Sequence, residues 1–389
     1  MSRKGEYYYA LDLIRFGAAA GVCLFHIGFY DWASMGSTTS RMFAHAASFP
    51  ALTPWTWAGW MGVEVFFVLS GLVIAQSANG ATPFAFLKSR ILRLLPAAWI
   101  CASLTLLAVT LIAGTPLRDT IAPYLRALAL WPEGPWIDGA YWSLGVEVVF
   151  YAVIFMLLAT RRFSMLPWLA WGLTAASSLF LTVSLLQLRG VIPDNRLLQF
   201  ATAHAESLLL RYGVFFAVGI WLWFASRRQM TPARWAGLAL AVGFGGLEVW
   251  LRAYSMEVFE APAARGQPVL GLVVFWLLAP LAILVVTRWP EVFTPHSAAM
   301  RNGLRTLGRA TYPLYLVQNV IGVGIARELV LWGMAPYAAV AAAIACVVLL
   351  GLVIAILPEV QVRRALSRLL DRAERLLPKA VLSIRTDPI

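Results

Sequence analysis

The sequence predicts an all-α fold, a polytopic membrane helix bundle of about ten transmembrane helices with both termini cytoplasmic. Three observations lead there. Sixty per cent of the 389 residues are apolar and only 13% are charged, with a mean hydropathy of +0.74, against roughly 25% charged in an ordinary soluble domain. Apolar runs recur from end to end, each near the ~20 residues a helix needs to cross ~30 Å of hydrocarbon. The basic residues are distributed asymmetrically between alternate connections, the pattern that orients membrane helices.

The predicted spans, in order, are Tyr8–Tyr30, Gly59–Ala78, Arg93–Ala113, Tyr141–Thr160, Leu166–Leu188, Leu208–Ala225, Ala233–Leu251, Pro268–Thr287, Thr311–Val330 and Ala335–Leu357. The first is too long, and with Asp12 and Arg15 too polar, for a cleaved signal peptide. Seventeen Trp and twelve Tyr suit interfacial belts. Of the 31 Lys and Arg, 21 fall in the terminal and connecting segments of one side, 8 on the other, and Arg15 and Arg211 within spans. The richer side is expected to be cytoplasmic, and this accounts for the net charge of +12 without a nucleic-acid surface. Residues 1–358 are taken as the membrane domain and 359–389 as a cytoplasmic tail. The tail alternates Val362, Leu366, Leu369, Leu370, Ala373 and Leu377 with arginines, as a basic amphipathic helix on an anionic leaflet would. It reads as an anchor without a catalytic part, so truncation after Leu357 is expected to leave some activity.

Cys23, Cys101 and Cys346 lie far apart inside apolar runs and read as small buried hydrophobes. His26, His45, His204 and His296 show no metal-ligand spacing, so no metal centre is expected. Glycine-rich nucleotide loops and a G-x-S-x-G elbow are missing. The chemistry therefore falls to ionisable groups inside the spans, which are costly there and functional by default: Asp12, Arg15, His26, Glu64, Glu147 and Arg211. Arg15 and His26, eleven residues apart, return to within ~20° of one helix face about 16 Å apart along the axis. Asp12 stands one turn from Arg15, where the two can pair. His26, Glu64 and Glu147 lie about 6–9 Å below the outer surface, so they are expected to share one layer. A histidine with a carboxylate in reach takes a proton from a hydroxyl; the bland alternative is a polar network joining helices. Arg90 and Arg93, three apart, share a face on which they can grip phosphate or simply anchor the helix.

Five segments together resemble the acyltransferase-3 family of integral membrane acyltransferases. They are Tyr9-Ala-Leu-Asp12-Leu-Ile-Arg15 with His26 beyond, Gly62-Val-Glu64-Val-Phe-Phe-Val-Leu-Ser70-Gly71, Phe86-Leu-Lys-Ser-Arg90-Ile-Leu-Arg93-Leu-Leu-Pro96, Tyr141-Trp142-Ser143-Leu144-Gly-Val-Glu147-Val-Val-Phe-Tyr151 and Leu307-Gly308-Arg-Ala-Thr311-Tyr312-Pro313-Leu314-Tyr315-Leu316. The resemblance implies His26 as the catalytic histidine, with Glu147 orienting or charging its ring. It implies Arg15, Arg90 and Arg93 as positioning groups for an acyl-CoA donor, and Asp12, Glu64, Trp142, Ser143, Tyr315 and Gln318 as further donor- or substrate-binding residues. Gln318 stands where the family usually has His, and Gln carries no proton at physiological pH. Glu64 stands where Asp is common.

The implied function is transfer of an acetyl or other short acyl group from acyl-CoA to a hydroxyl of a surface glycan or related acceptor, in a bacterial inner membrane. Acetyl-CoA is then a co-substrate, with no permanently bound cofactor. The partners expected are acyl-CoA, the acceptor, the bilayer and, with no soluble esterase-like domain in the chain, a separate periplasmic protein. The alternative is a proton-coupled transporter or flippase with a His/Glu relay.

Overall fold

The computed structural model describes residues 7–34, 36–43, 47–376 and 389. His45, in the first outer connection, and Leu377, the last apolar position of the tail pattern, lie outside them. The described residues form helices and connecting turns, with no strand among them. Eight helices are long and apolar enough to cross a membrane, and a bent pair makes a ninth.

The crossing helices are α1 (Tyr9–Ala33), α2 (Pro50–Ala78), α3 (Pro83–Leu111), α5 (Gly139–Ala159), α6 (Phe163–Leu188), α9 (Pro232–Glu260), α10 (Val269–Arg288) and α13 (Pro336–Ile356). Peripheral helices α4 (Leu117–Leu128) and α7 (Arg196–Ala203) lie in the outer connections. The bent pair is α11 (Ala298–Val317) and α12 (Val320–Leu331), and α14 (Pro358–Leu376) follows α13.

Two predicted spans need correction. The span expected over Leu208–Ala225 is only α8 (Gly213–Ser226), 14 residues long and so about 21 Å. Helix α8 is buried along nearly its whole length among α2, α6, α9 and α10, so it meets protein where the others meet lipid, and full bilayer length is not required of it. Residues 204–212 before it run as turns. The single span expected over Thr311–Val330 is bent by 70° between Val317 and Val320. About ten chain passes remain, but not ten full-length helices.

Close approach of backbones holds α8 in place. A Cβ on Gly219 would lie 2.1 Å from the Val68 carbonyl oxygen, and one on Gly71 2.3 Å from that of Phe216. Lipid supplies little hydrophobic drive between helices, so small residues that permit contact are the available means of association. Around the crossing stack Phe67 and Phe216, with centroids 4.9 Å apart, and Phe150 and Phe216, at 4.3 Å.

The region expected to be only a surface anchor is instead packed against the bundle. Helix α14 rests on α3 and α13, with Lys88 of α3 2.5 Å from Asp371 and 2.6 Å from Glu374.

Gly219→Leu is expected to separate α2 from α8 and to destabilise the fold by about 1–3 kcal/mol, the ordinary cost of overpacking. A lower thermal midpoint of the detergent-solubilised protein is the readout, and an unchanged midpoint would show that the crossing is slack.

Candidate active site

Helices α1, α2, α3, α5 and α11 enclose two cavities that meet at a common wall. The first, of about 410 Å³, is lined by Arg15, Arg90, Arg93, Ser70, Glu147 and Tyr151, with Ser143 and Tyr315 at one end. The second, of about 310 Å³, is lined by His26, Glu64, Trp60, Trp142, Arg211 and Asn319, among others. Val63 and Tyr315 line both and form the partition. The Tyr315 and Ser143 hydroxyls are 2.6 Å apart, and Phe66 packs edge-on against the Tyr315 ring with centroids 5.7 Å apart.

Helical phase explains the first cavity. Along α5, Ser143, Glu147 and Tyr151 repeat every four residues and so share a face; from Ser143 to Tyr151 this face covers about 12 Å. Glu147 accepts hydrogen bonds from the Ser70 and Tyr151 hydroxyls. On α3, helix runs from Pro83, ten residues before the predicted start, so Lys88, Arg90 and Arg93 all project from regular structure. The two arginines are held by aromatic faces. Arg90 lies 5.7 Å from the Phe86 and Tyr151 centroids and Arg93 5.6 Å from that of Tyr312. A ring fixes a guanidinium while leaving its N–H fork free for a ligand.

Asp12 lines neither cavity. It lies 3.6 Å from Arg15 and accepts a hydrogen bond from the Tyr7 hydroxyl. Gly308 presses on it, since a Cβ there would lie 2.3 Å from the Asp12 carboxyl carbon. Asp12 therefore positions Arg15 and is not itself placed to meet a substrate in either cavity.

The second cavity is arranged around His26. The α-helix of α1 gives way at this residue to a π-helical turn over His26–Tyr30, a local widening found often at functional sites. Phe25 and Tyr30 pack edge-on against the imidazole, with centroids 5.1 and 6.0 Å away. Its Nδ1 lies 3.0 Å from Oε1 and 2.9 Å from Nε2 of Gln318. With the amide oxygen accepting from Nδ1–H, Nε2 is left as the basic nitrogen.

The expected pairing of Glu147 with His26 is not formed. Glu147 lines the arginine-lined cavity on the far side of the Val63–Tyr315 partition, and Gln318 occupies the ring edge. Offsets counted from predicted span ends do not report that wall: Glu147 stands one turn beyond Ser143, which meets Tyr315 at the partition. Glu64 does line the cavity of His26. It is 3% exposed, and its Oε2 has no hydrogen-bond partner among the described residues. The indole N–H of Trp60, 5% exposed in the same cavity, is likewise unpartnered there.

Several residues here carried no sequence signal as site residues. Asp138 is fully buried; it accepts from Asn319 Nδ2 at 2.9 Å, from the Val320 backbone N–H at 3.0 Å and from the Ala140 N–H at 2.8 Å. It thereby caps the start of α12 and ties the helix break to the start of α5. Arg211 lies 2.6 Å from Glu248, Arg252 pairs with Glu260, and Glu206 adds a further carboxylate to the wall. On the other side Arg363 of α14 lines the first cavity. A charge count over the predicted spans singles out Arg211 and is open to Glu248 as well, which lies within the span Ala233–Leu251; Arg252 falls one residue beyond that predicted end, although α9 continues to Glu260.

These helices and cavities define a multi-pass membrane protein with a polar site enclosed by its first, second, third, fifth and eleventh helices. The chain matches the acyltransferase domain of the acyltransferase-3 family over residues 8–357, nearly its whole length; it belongs to that family and is an integral membrane acyltransferase. Comparison with curated proteins gives no match, and neither does comparison with solved structures.

Asp138→Ala is expected to leave the amide of Asn319 and the N-terminus of α12 unsatisfied, at about 1–3 kcal/mol. Thermal unfolding in detergent should show the loss, with Asp138→Asn retaining part of the stability; equal midpoints would remove the cap from the account. Gln318→Leu should reduce turnover about tenfold while membrane abundance and donor KM stay level, because the imidazole loses its orienting partner. Unchanged turnover would show that the ring is held without the amide.

Proposed function

We propose that the protein transfers an acetyl or other short acyl group from acyl-CoA to a hydroxyl of a surface glycan or related acceptor. The observation that carries this reading is the partition: an arginine-lined cavity and a histidine-lined cavity meet at Val63 and Tyr315. The arginine-lined cavity suits the phosphates of acyl-CoA, with Arg90 and Arg93 as bidentate partners and Arg15 deeper. The pantetheine arm then runs along the α5 face between Tyr151 and Ser143, and the thioester reaches the Ser143–Tyr315 pair. Passage past that pair requires the Tyr315 ring to turn.

His26 Nε2 takes the proton from the acceptor hydroxyl, and the oxygen attacks the thioester carbonyl. The C–S bond breaks, and the departing thiolate takes the proton from the imidazolium. Ester and free CoA are the products. Hydroxyls both donate and accept, which suits the unpartnered Glu64 carboxylate oxygen and Trp60 N–H in the His26 cavity. The tryptophan faces of Trp60 and Trp142 offer apolar surface to sugar C–H groups. A two-step route through an acyl-histidine differs in that label from the donor becomes trapped on His26 without acceptor.

In this reading the arginine-lined cavity faces the cytoplasm, where acyl-CoA is made, and His26 faces the periplasm of a bacterial inner membrane, an orientation that the positive-inside distribution favours. The alternative, a transporter or flippase with a His/Glu relay, loses the link to Glu147, which lines a different cavity from His26; Glu64 shares the His26 cavity, and it is the family match that favours acyl transfer.

Membranes holding the intact protein should move radiolabel from acetyl-CoA into the glycan or lipid-linked glycan fraction. His26→Ala at matched abundance is expected to reduce that transfer by at least about a hundredfold, as loss of a general base does. Equal labelling would take His26 out of the chemistry and this reading with it.

A further inference from the structure

We propose that the C-terminal helix α14 belongs to the donor site, and that Arg363 adds a third phosphate-binding guanidinium to Arg90 and Arg93. The inference rests on the donor reading above and extends it beyond the family domain, whose match ends at residue 357.

Three observations carry it. The first is place: Arg363 lines the same cavity as Arg15, Arg90 and Arg93. The second is spare hydrogen-bonding capacity. Arg363 pairs with Glu359 through one terminal nitrogen, but its Nε–H is buried and has no hydrogen-bond partner among the described residues. A buried donor without a partner costs free energy unless a ligand or water meets it.

The third is mounting. Glu359, one turn before Arg363, is 3% exposed, which fixes the start of α14 against the bundle. Two turns further on, Asp371 and Glu374 close on Lys88 at 2.5 and 2.6 Å. Lys88 is two residues from Arg90 on α3, so the clamp joins the tail to the segment that carries the other two arginines. A surface anchor would present its arginines to lipid headgroups; Arg363, although its side chain is 40% exposed, lines the cavity and keeps its Nε buried, while its neighbour Arg364 is exposed.

The ligand chemistry follows from the charge. A donor whose handle carries several phosphates, a nucleotide-bearing thioester, needs more cationic donors than two arginines supply. Planar guanidinium forks bind phosphate oxygens in pairs. A thioester without phosphates has no use for Arg363.

The test is therefore a comparison of two donors, acetyl-CoA and S-acetylpantetheine, with the full-length protein in membranes. Arg363→Ala is expected to raise KM for acetyl-CoA about tenfold, equivalent to about 1.4 kcal/mol, with kcat little changed. With S-acetylpantetheine, which carries no phosphate, variant and parent should coincide. Arg363→Lys should restore part of the acetyl-CoA KM, and Arg364→Ala should leave both donors unaffected. An equal penalty with both donors would show a structural role and overturn the proposal, as would an unchanged KM for acetyl-CoA. Arg90→Ala separates the two levels of the argument. If it raises KM and Arg363→Ala does not, the tail alone is excluded from the site; if neither does, the donor reading falls as well. Where Arg363→Ala fails to accumulate, Arg363→Lys carries the same two-donor comparison with a smaller expected shift.

Discussion

Asp138 is the constraint on which the His26 side of the molecule depends. A helix that crossed straight from Ala298 to Leu331 would keep its backbone groups paired internally and turn Gln318 with the rest of the spiral. The 70° bend between α11 and α12 breaks that pairing and leaves free N–H groups at the start of α12. Inside a membrane such groups have no water to turn to. The Asp138 carboxylate answers one of them, the Val320 N–H, and also accepts from the Asn319 side-chain amide beside the break and from the Ala140 N–H at the start of α5. The same carboxylate sits at the start of α5, so the helix carrying Ser143 and Glu147 and the break carrying Gln318 are joined at one point. His26 meets Gln318 because of that join. The π-helical turn of α1 is the matching irregularity on the opposite wall, and the two departures from regular helix face each other across the imidazole.

The partition follows from the same arrangement. Tyr315 lies one turn before Gln318 on α11, so the residue that separates the cavities and the residue that holds the histidine share a helix face. Val63 and Glu64 are neighbours on α2, yet one belongs to the wall and the other only to the His26 cavity. Two cavities thus arise from helices that each contribute to both sides, with a single layer of side chains between. If the substrates approach from opposite faces of the membrane, as proposed, such a layer keeps the two aqueous spaces apart while leaving a short path between the reacting groups.

Hydropathy and charge asymmetry were enough to establish the all-α membrane class, and five segments were enough to place the family. The same signals could not show length or direction. Helix α8 carries an apolar sequence indistinguishable from a lipid-facing span, because burial in protein and burial in lipid select the same residues. The break at Gln318–Asn319 has no glycine or proline at its centre; the carboxylate that caps it, Asp138, lies about 180 residues earlier, and no local pattern reports a cap supplied from so far away. Glu147 shows the limit of counting depth from span ends: the wall of Val63 and Tyr315 lies between it and His26, and only packing reveals that wall. Arg363 shows another limit. An amphipathic pattern with basic residues looks the same whether its cations meet headgroups or a cavity, and the acidic residues that decide the matter, Asp371 and Glu374, find their partner Lys88 in another helix.

The two cavities differ in the carboxylates that accompany their arginines. Arg211 is engaged by Glu248, and Arg252 by Glu260. Glu64 and Glu206 line the same cavity, so carboxylates there match or outnumber the guanidinium groups, which disfavours an anionic ligand. On the other side Arg90 and Arg93 rest on aromatic rings, which orient a guanidinium without consuming its N–H donors. The only carboxylate lining that cavity among the described residues, Glu147, accepts from two hydroxyls. Arginine content alone would make the two cavities look alike. The difference in charge between the two cavities is what the proposed reading relies on, since a phosphate-bearing donor and a neutral acceptor call for different surroundings.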